Sequence, residues 1–190
     1  MNEAKYYVMD SDYSDEGMML GGMPNLPNES KDDWMYGQAF TQEPKEPIVV
    51  DIKEGEDSAN NLPFYCHPPL ASQEFIDALI EVGVDNLVLY DAVLKSRTAP
   101  NFQIMGYKAF NIIGLVKAAG DETEYATESR EGDASIANLQ ADTSAIKGLY
   151  IFRLAESWDT IVVHEKVKEH LESKNFIGLD FEELDGAFIL

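Results

Sequence analysis

The chain holds a single cysteine, Cys66, and lacks any run of 18 or more apolar residues. One cysteine cannot close an internal disulfide, and without such a run no transmembrane helix is expected. Basic residues are also scarce: 14 lysines and arginines stand against 35 aspartates and glutamates, for a formal net charge of −21. A field of that sign repels phosphate backbones and anionic lipid surfaces and attracts basic partners, so nucleic-acid and membrane-surface binding are not expected. The acidic opening has neither the basic nor the apolar segment of a secretory signal, which points to the cytoplasm. Phosphate cradles are missing as well. "MLGGMP" lacks the Lys and Ser/Thr of a P-loop, and no G-x-G-x-x-G opens a helix after a strand, so no cofactor is expected.

What remains is ordinary for a folded chain. A hydrophobic fraction of 45% and an aromatic fraction of 11% over 190 residues suffice for a core. The organisation changes near residue 62. Residues 1–62 contain fourteen acids, four lysines, several Gly and Pro, and only two strand-like runs, "KYYVMD" and "PIVVDI". This stretch is expected to form an irregular, strand-containing acidic subdomain draped on a core made by residues 63–190.

Residues 63–190 read as α+β, with mixed and antiparallel strands and two main helices. In "SQEFIDALIEVG", Ser72 is a natural N-cap, Phe75, Ile76, Leu79 and Ile80 share a helical face, and Gly83 supplies the αL residue that ends the helix. The strand-like "NLVLYDAVL" follows. Ninety-two residues later "HEKVKEHLESKNFIGLDF" repeats the arrangement: Phe75 aligns with Val167, Leu79 with Leu171, Gly83 with Asn175, and Leu87 with Leu179. Gly and Asn are the two residues that tolerate the αL conformation, so the alignment describes a weak helix, cap and strand repeat. "QIMGYKAFNIIGLV" and "GLYIFRL" between the copies are rich in strand formers. The acidic stretch from Asp121 to Asp142 is expected to be a loop facing water.

Three patterns could carry chemistry. "MDSDYSDEGMML" resembles a calcium loop until position six, where Asp15 replaces the required glycine, and position twelve, where Gly21 replaces the bidentate Glu. His164 and His170 in "HEKVKEH" are six apart rather than four. That spacing turns them about 120° from one another on a helix, so they cannot share a metal, and His170 falls with Val167 and Leu171. Cys66 and His67 are adjacent, a spacing that a strand sends to opposite faces, so a structural role is favoured over a thiol nucleophile. Carboxylates abound in polar runs without the burial that would tune them for catalysis. No catalytic or metal residue is assigned.

The C-terminal succession "GLYIFRLAESWDTIVVHEKVKEHLESKNFIGLDFEEL" resembles immunity family eleven of bacterial polymorphic toxin systems, first catalogued as a domain of unknown function. The residues that carry the likeness are Phe152, Arg153, Ile161, Val162, Val163, Val167, Lys168, Leu171, Gly178 and Phe181. Upstream, "HPPLASQEFIDALIEVGVDNLVLYDAVL" and "YKAFNIIGLVKAAGDETEYATES" are similar to the family's earlier helix and strands, so the likeness spans roughly residues 63–190. His164 stands where the family usually has a serine cap, and residues 1–62 match little beyond an opening strand. The resemblance implies a non-enzymatic bacterial protein that binds and neutralises a cognate protein toxin, and it implies no catalytic residues.

An acidic inhibitor would be steered quickly onto a basic toxin surface, with strong salt dependence. The candidate contacts are the acidic segments Asp10, Asp12, Asp15, Glu16 and Asp121, Glu122, Glu124, Glu128, Glu131. Trp34 and Tyr36 are candidate aromatic anchors, with a place in the core as their alternative. Two other classes stay open: a DNA mimic or other acidic inhibitor of a nucleic-acid enzyme, which needs carboxylates ridged like phosphates, and a hydrolase using Cys66 with a histidine. Because the calcium-loop pattern fails at its two most demanding positions, millimolar calcium is expected to leave the melting temperature unchanged in differential scanning fluorimetry. A rise of several degrees would contradict that reading.

Overall fold

The computed structural model describes residues 4–11, 19–54, 62–127 and 132–190. Its strands are β1 (Tyr6–Ser11), β2 (Met19–Leu20), β3 (Ile48–Glu54), β4 (Phe64–Tyr65), β5 (Leu70–Ser72), β6 (Leu87–Ser96), β7 (Gln103–Ile112), β8 (Leu115–Val116), β9 (Glu124–Tyr125), β10 (Ile136–Asn138), β11 (Ile151–Leu154), β12 (Ile161–His164) and β13 (Leu179–Glu183). Helix α1 (Gln73–Glu81) follows β5, and α2 (Glu165–Ser173) follows β12. The chain is α+β, with a six-stranded sheet ordered β2-β3-β6-β7-β5-β4, a five-stranded sheet ordered β13-β1-β12-β11-β8, and a ribbon of β9 and β10.

The repeat seen in the sequence is a repeat of topology. In each sheet a strand leads into a helix, and the next strand returns parallel to the first with one antiparallel strand between them. That inserted strand is β7 between β5 and β6, and β1 between β12 and β13. Ser72 Oγ accepts from the Phe75 amide at 3.2 Å, and Gly83 closes α1 at φ +101°. At the matching positions His164 Nδ1 accepts from the Lys166 amide at 3.0 Å, and Asn175 ends α2 at φ +55°. His164 therefore caps its helix with a ring nitrogen, because imidazole Nδ1 reaches the first-turn amides as a short oxygen does.

Helices α1 and α2 pack on one another, and one apolar cluster joins them to both sheets. Phe75, Ile76 and Leu79 meet Val167 and Leu171 beneath Phe110 and Ile112 of one sheet and Ile151, Ile161 and Val163 of the other. Glu81 links the helix ends, accepting from Lys174 Nζ at 2.6 Å and lying 3.3 Å from His170 Nε2. Ile80 is the exception to the expected face, at 54% exposed. At 100° per residue it lies about 40° beyond Ile76, past the edge of the buried arc that runs through Ala78, Phe75, Leu79 and Ile76.

The outer face of each sheet is also covered, which is why β11 and β12 are buried at every residue instead of alternating. Residues 20–45 lie over the six-stranded sheet, with Leu26 and Trp34 against Ile48, Val50, Tyr90 and Leu94. The described parts of the segment from Asp121 to Asp142, residues 121–127 and 132–142, lie against the five-stranded sheet. They are not the water-facing loop expected, since they carry β9 and β10 and bury Ala134, Ile136 and Leu139 against Phe152, Leu154 and Val162. The segment's many acids mask three apolar residues that are enough to seat it. Strand pairing also crosses residue 62 twice: β1 lies inside the five-stranded sheet, and β3 pairs parallel with β6.

His164 yields a pH prediction. Burial lowers its pKa below the ordinary histidine value of 6.5, the neighbouring Glu165 opposing, and the cap needs an unprotonated Nδ1. A depressed histidine pKa means that stability is complete above 6.5 and falls as pH drops toward the folded-state value. In urea melts, His164→Ala is expected to cost about 1 kcal/mol at pH 7.5. Taking the pH to 5 should destabilise the native protein more than His164→Ser, whose cap does not titrate; parallel losses would show that the ring nitrogen contributes nothing.

Candidate binding cleft

The turn from Cys66 to Pro69 joins β4 to β5 through a cis His67–Pro68 bond and leaves His67 exposed at the junction of two hollows. The larger, about 610 Å3, lies between this turn and residues 20–35; the smaller, about 220 Å3, lies between β1, the turn and residues 159–161. Carboxylates line both: Glu29, Asp32 and Asp33 in the larger, Asp10 and Asp159 in the smaller. Among the described residues no lysine or arginine lines either one. A third hollow, of about 410 Å3 beside β13, is different, because Lys5 and Glu183 on its rim pair with each other at 2.9 Å.

The walls of the larger hollow are fixed by short-range bonds. Residues 28–32 form one helical turn, closed by the Asp32 amide donating to the Asn28 carbonyl at 2.9 Å. Glu29 on that turn and Asp33 just beyond it both line the cleft. Asp32 points inward and accepts from the Thr41 amide, the Thr41 hydroxyl and the Gln42 amide at 2.9, 2.8 and 3.3 Å. Burial pushes its carboxyl up, but these bonds outweigh it and leave the pKa below the usual value. Asp33 Oδ1 accepts from the Met35 amide at 2.8 Å. Opposite stand Pro68 and Pro69, with Leu20, Met23 and Pro24 completing an apolar floor and rim.

Loop 34–38 is seated on the rest of the molecule by Gly37. Its φ is +66°, its carbonyl accepts from the Gly114 amide at 2.8 Å, and a Cβ there would stand 2.9 Å from the Gly114 oxygen. Trp34 is buried edge-on to Phe40 and Tyr90, so its ring belongs to the core while one side lines the cleft. Its Nε1–H has no acceptor among the described residues. Tyr36 is half-buried, with its ring 4.8 Å from that of Trp158.

Beneath the cleft lies Arg153, fully buried on β11. Its Nη1 donates to the carbonyls of Trp158 and Asp159 at 3.0 and 3.2 Å, pinning the turn that presents the Asp159 side chain, while Nε and Nη2 have no acceptor among the described residues. Burial lowers its pKa, and the nearby Cys66, Asp159 and Asp33 oppose that shift. A guanidinium keeps its charge under these conditions, so it offsets part of the negative field without entering the lining.

Cys66, His67 and Asp159 are thus neighbours, but their geometry is not that of an activated nucleophile. The thiol is buried and its Sγ lies 3.6 Å from the Asp159 carbonyl oxygen, which it faces as a donor. Burial pushes its pKa up to about 12, against the opposing pull of Arg153. His67 Nε2 lies 3.9 Å from Asp159 Oδ2, beyond hydrogen-bond range, and although about half the side chain meets solvent, desolvation of its enclosed side holds its pKa below the usual value, Asp159 opposing. At neutral pH the imidazole is uncharged, so it adds no cation to the cleft.

The other residues singled out in the sequence lie apart or beyond the described chain. Asp10 is exposed on β1 at the smaller hollow. Asp121, Glu122 and Glu124 are exposed around the β9 ribbon and line neither hollow. Asp12, Asp15, Glu16, Glu128 and Glu131 lie outside the described residues. Glu29, Asp32, Asp33 and Asp159 were missed because the lining carboxylates converge from three segments, at residues 10, 29–33 and 159, that are far apart in the sequence. Among the described residues no group of three or more His, Cys, Asp or Glu is placed to hold a metal ion, and no helix is long and apolar enough to cross a membrane. No family model matches the chain, and neither does any curated protein sequence.

A thiol this withdrawn should not react in the folded protein. At pH 8, Ellman's reagent is expected to leave Cys66 unmodified in native protein and to titrate one thiol after unfolding in guanidinium chloride. Rapid native-state reaction would contradict the buried geometry.

Proposed function

We propose that this chain is a non-enzymatic immunity protein that acts in the bacterial cytoplasm, binding and neutralising a cognate toxin through protein–protein contact. The observation that carries the reading is the distribution of charge. A chain of net charge −21 has at the junction of its two sheets and the 20–35 loop a cleft edged by carboxylates, with no lysine or arginine in its lining among the described residues. Clefts of one sign focus the field and speed the capture of an oppositely charged partner. The withdrawn Cys66 thiol agrees with a protein that needs no chemistry of its own. The resemblance of the C-terminal succession to immunity family eleven supplies the biological setting, and the expected partner is a protein toxin with a basic surface.

The test is capture from native cells at low and high salt, with the bound protein identified by mass spectrometry, purified and assayed. The expected result is one basic partner, released by salt, whose activity this chain abolishes at a stoichiometric ratio. A captured protein whose activity is unchanged by saturating amounts of this chain, or no capture at either salt, would overturn the reading.

A further inference from the structure

Two acids from one short stretch, Glu29 and Asp33, both line the 610 Å3 hollow. Asp32 between them is turned inward and occupied by Thr41 and Gln42, so Glu29 and Asp33 are the carboxylates left to the hollow, and Lys31, though exposed on the same turn, is not part of its lining. Met23, Pro24, Pro68 and Pro69 give the same hollow apolar lining. A hollow lined by apolar groups and two carboxylates complements one kind of protein group: a positive head on an aliphatic stem. Arg153 is buried with Nη1 fixed on backbone carbonyls and is not part of the hollow's lining.

We propose that this cleft is the specificity pocket of the partner interface, receiving a single lysine or arginine side chain of the basic partner. The stem lies between the prolines and Met23, and the head meets Glu29 and Asp33. The inference rests on the function proposed above, and it adds where the contact is made and which chemistry it recognises.

The test uses short probes on the full chain. Ac-Gly-Arg-Gly-NH2, its lysine counterpart and a neutral citrulline control are titrated while 1H–15N NMR spectra are recorded at low salt. The two cationic peptides are expected to give saturable shifts confined to residues 20–35 and 66–69, the Trp34 indole N–H included, while citrulline gives none. The double variant Glu29→Gln, Asp33→Asn, whose amides keep the shape and the bond to Met35, is expected to weaken binding about tenfold. Neutralising Asp121, Glu122 and Glu124 should change it less than twofold. Shifts spread over the acidic surface, equal binding by citrulline, or an unaffected double variant would overturn the pocket. So would spermidine binding a hundredfold tighter than the peptides, since that marks a small-polyamine site.

The two proposals fail separately. A captured toxin inhibited equally well by the double variant leaves the immunity reading standing and removes the pocket. Peptide binding in the cleft without any capturable partner supports the pocket's chemistry and removes the immunity reading.

Discussion

The contact on which the rest of this molecule depends is the packing of α1 against α2. Each helix springs from one strand of its own sheet and returns to another, so the two sheets are joined mainly by what lies between them. Phe75, Ile76, Val167 and Leu171 are all fully buried there, together with residues from both sheets. Burial of four such side chains contributes several kcal/mol even on conservative area terms, and a truncation would open a cavity with little room to relax. The caps at Ser72 and His164 and the αL residues Gly83 and Asn175 fix where each helix starts and stops. They thereby fix the register of the strands that follow.

With the sheets so placed, everything that forms the cleft is brought to one end. β1 passes through the five-stranded sheet and delivers Asp10 beside Cys66, whose amide donates to Ser11 Oγ at 3.2 Å. Arg153 holds the 158–159 turn by its carbonyls, and Gly37 lets the 34–38 loop close on Gly114. A buried guanidinium with so few acceptors is a poor source of stability by itself. Its effect is positional: it keeps a cation under the cleft while the lining stays acidic. The uncharged His67 leaves that balance undisturbed near neutral pH.

Much of the fold was legible because its signals are local. The spacing of Phe75, Ile76 and Leu79, the serine cap, and the Gly and Asn terminators declare both helices, and runs of strand formers declare β1, β3, β6, β7 and β11. Two features were hidden. Ala134, Ile136 and Leu139 seat an acidic segment on the sheet, but seven acids between Asp121 and Asp142 drown them in composition. The cleft was hidden for a different reason: Glu29, Asp33, His67 and Asp159 come together only after two sheets and a loop have docked, and no window of sequence contains them all. His170 was placed correctly on the helix, yet its approach to Glu81 depends on a helix 89 residues away.

The claim at the centre of this account is that a basic protein docks over the His67 cleft and not elsewhere on an evenly acidic surface. Hydrogen–deuterium exchange of the chain, free and in complex with its captured partner, addresses this directly. Protection concentrated on residues 20–35 and 66–69, with the β9 ribbon unchanged, is the result this account predicts. Protection confined to the Asp121–Asp142 segment or the α1–α2 surface, with the cleft exchanging as in the free chain, would contradict it.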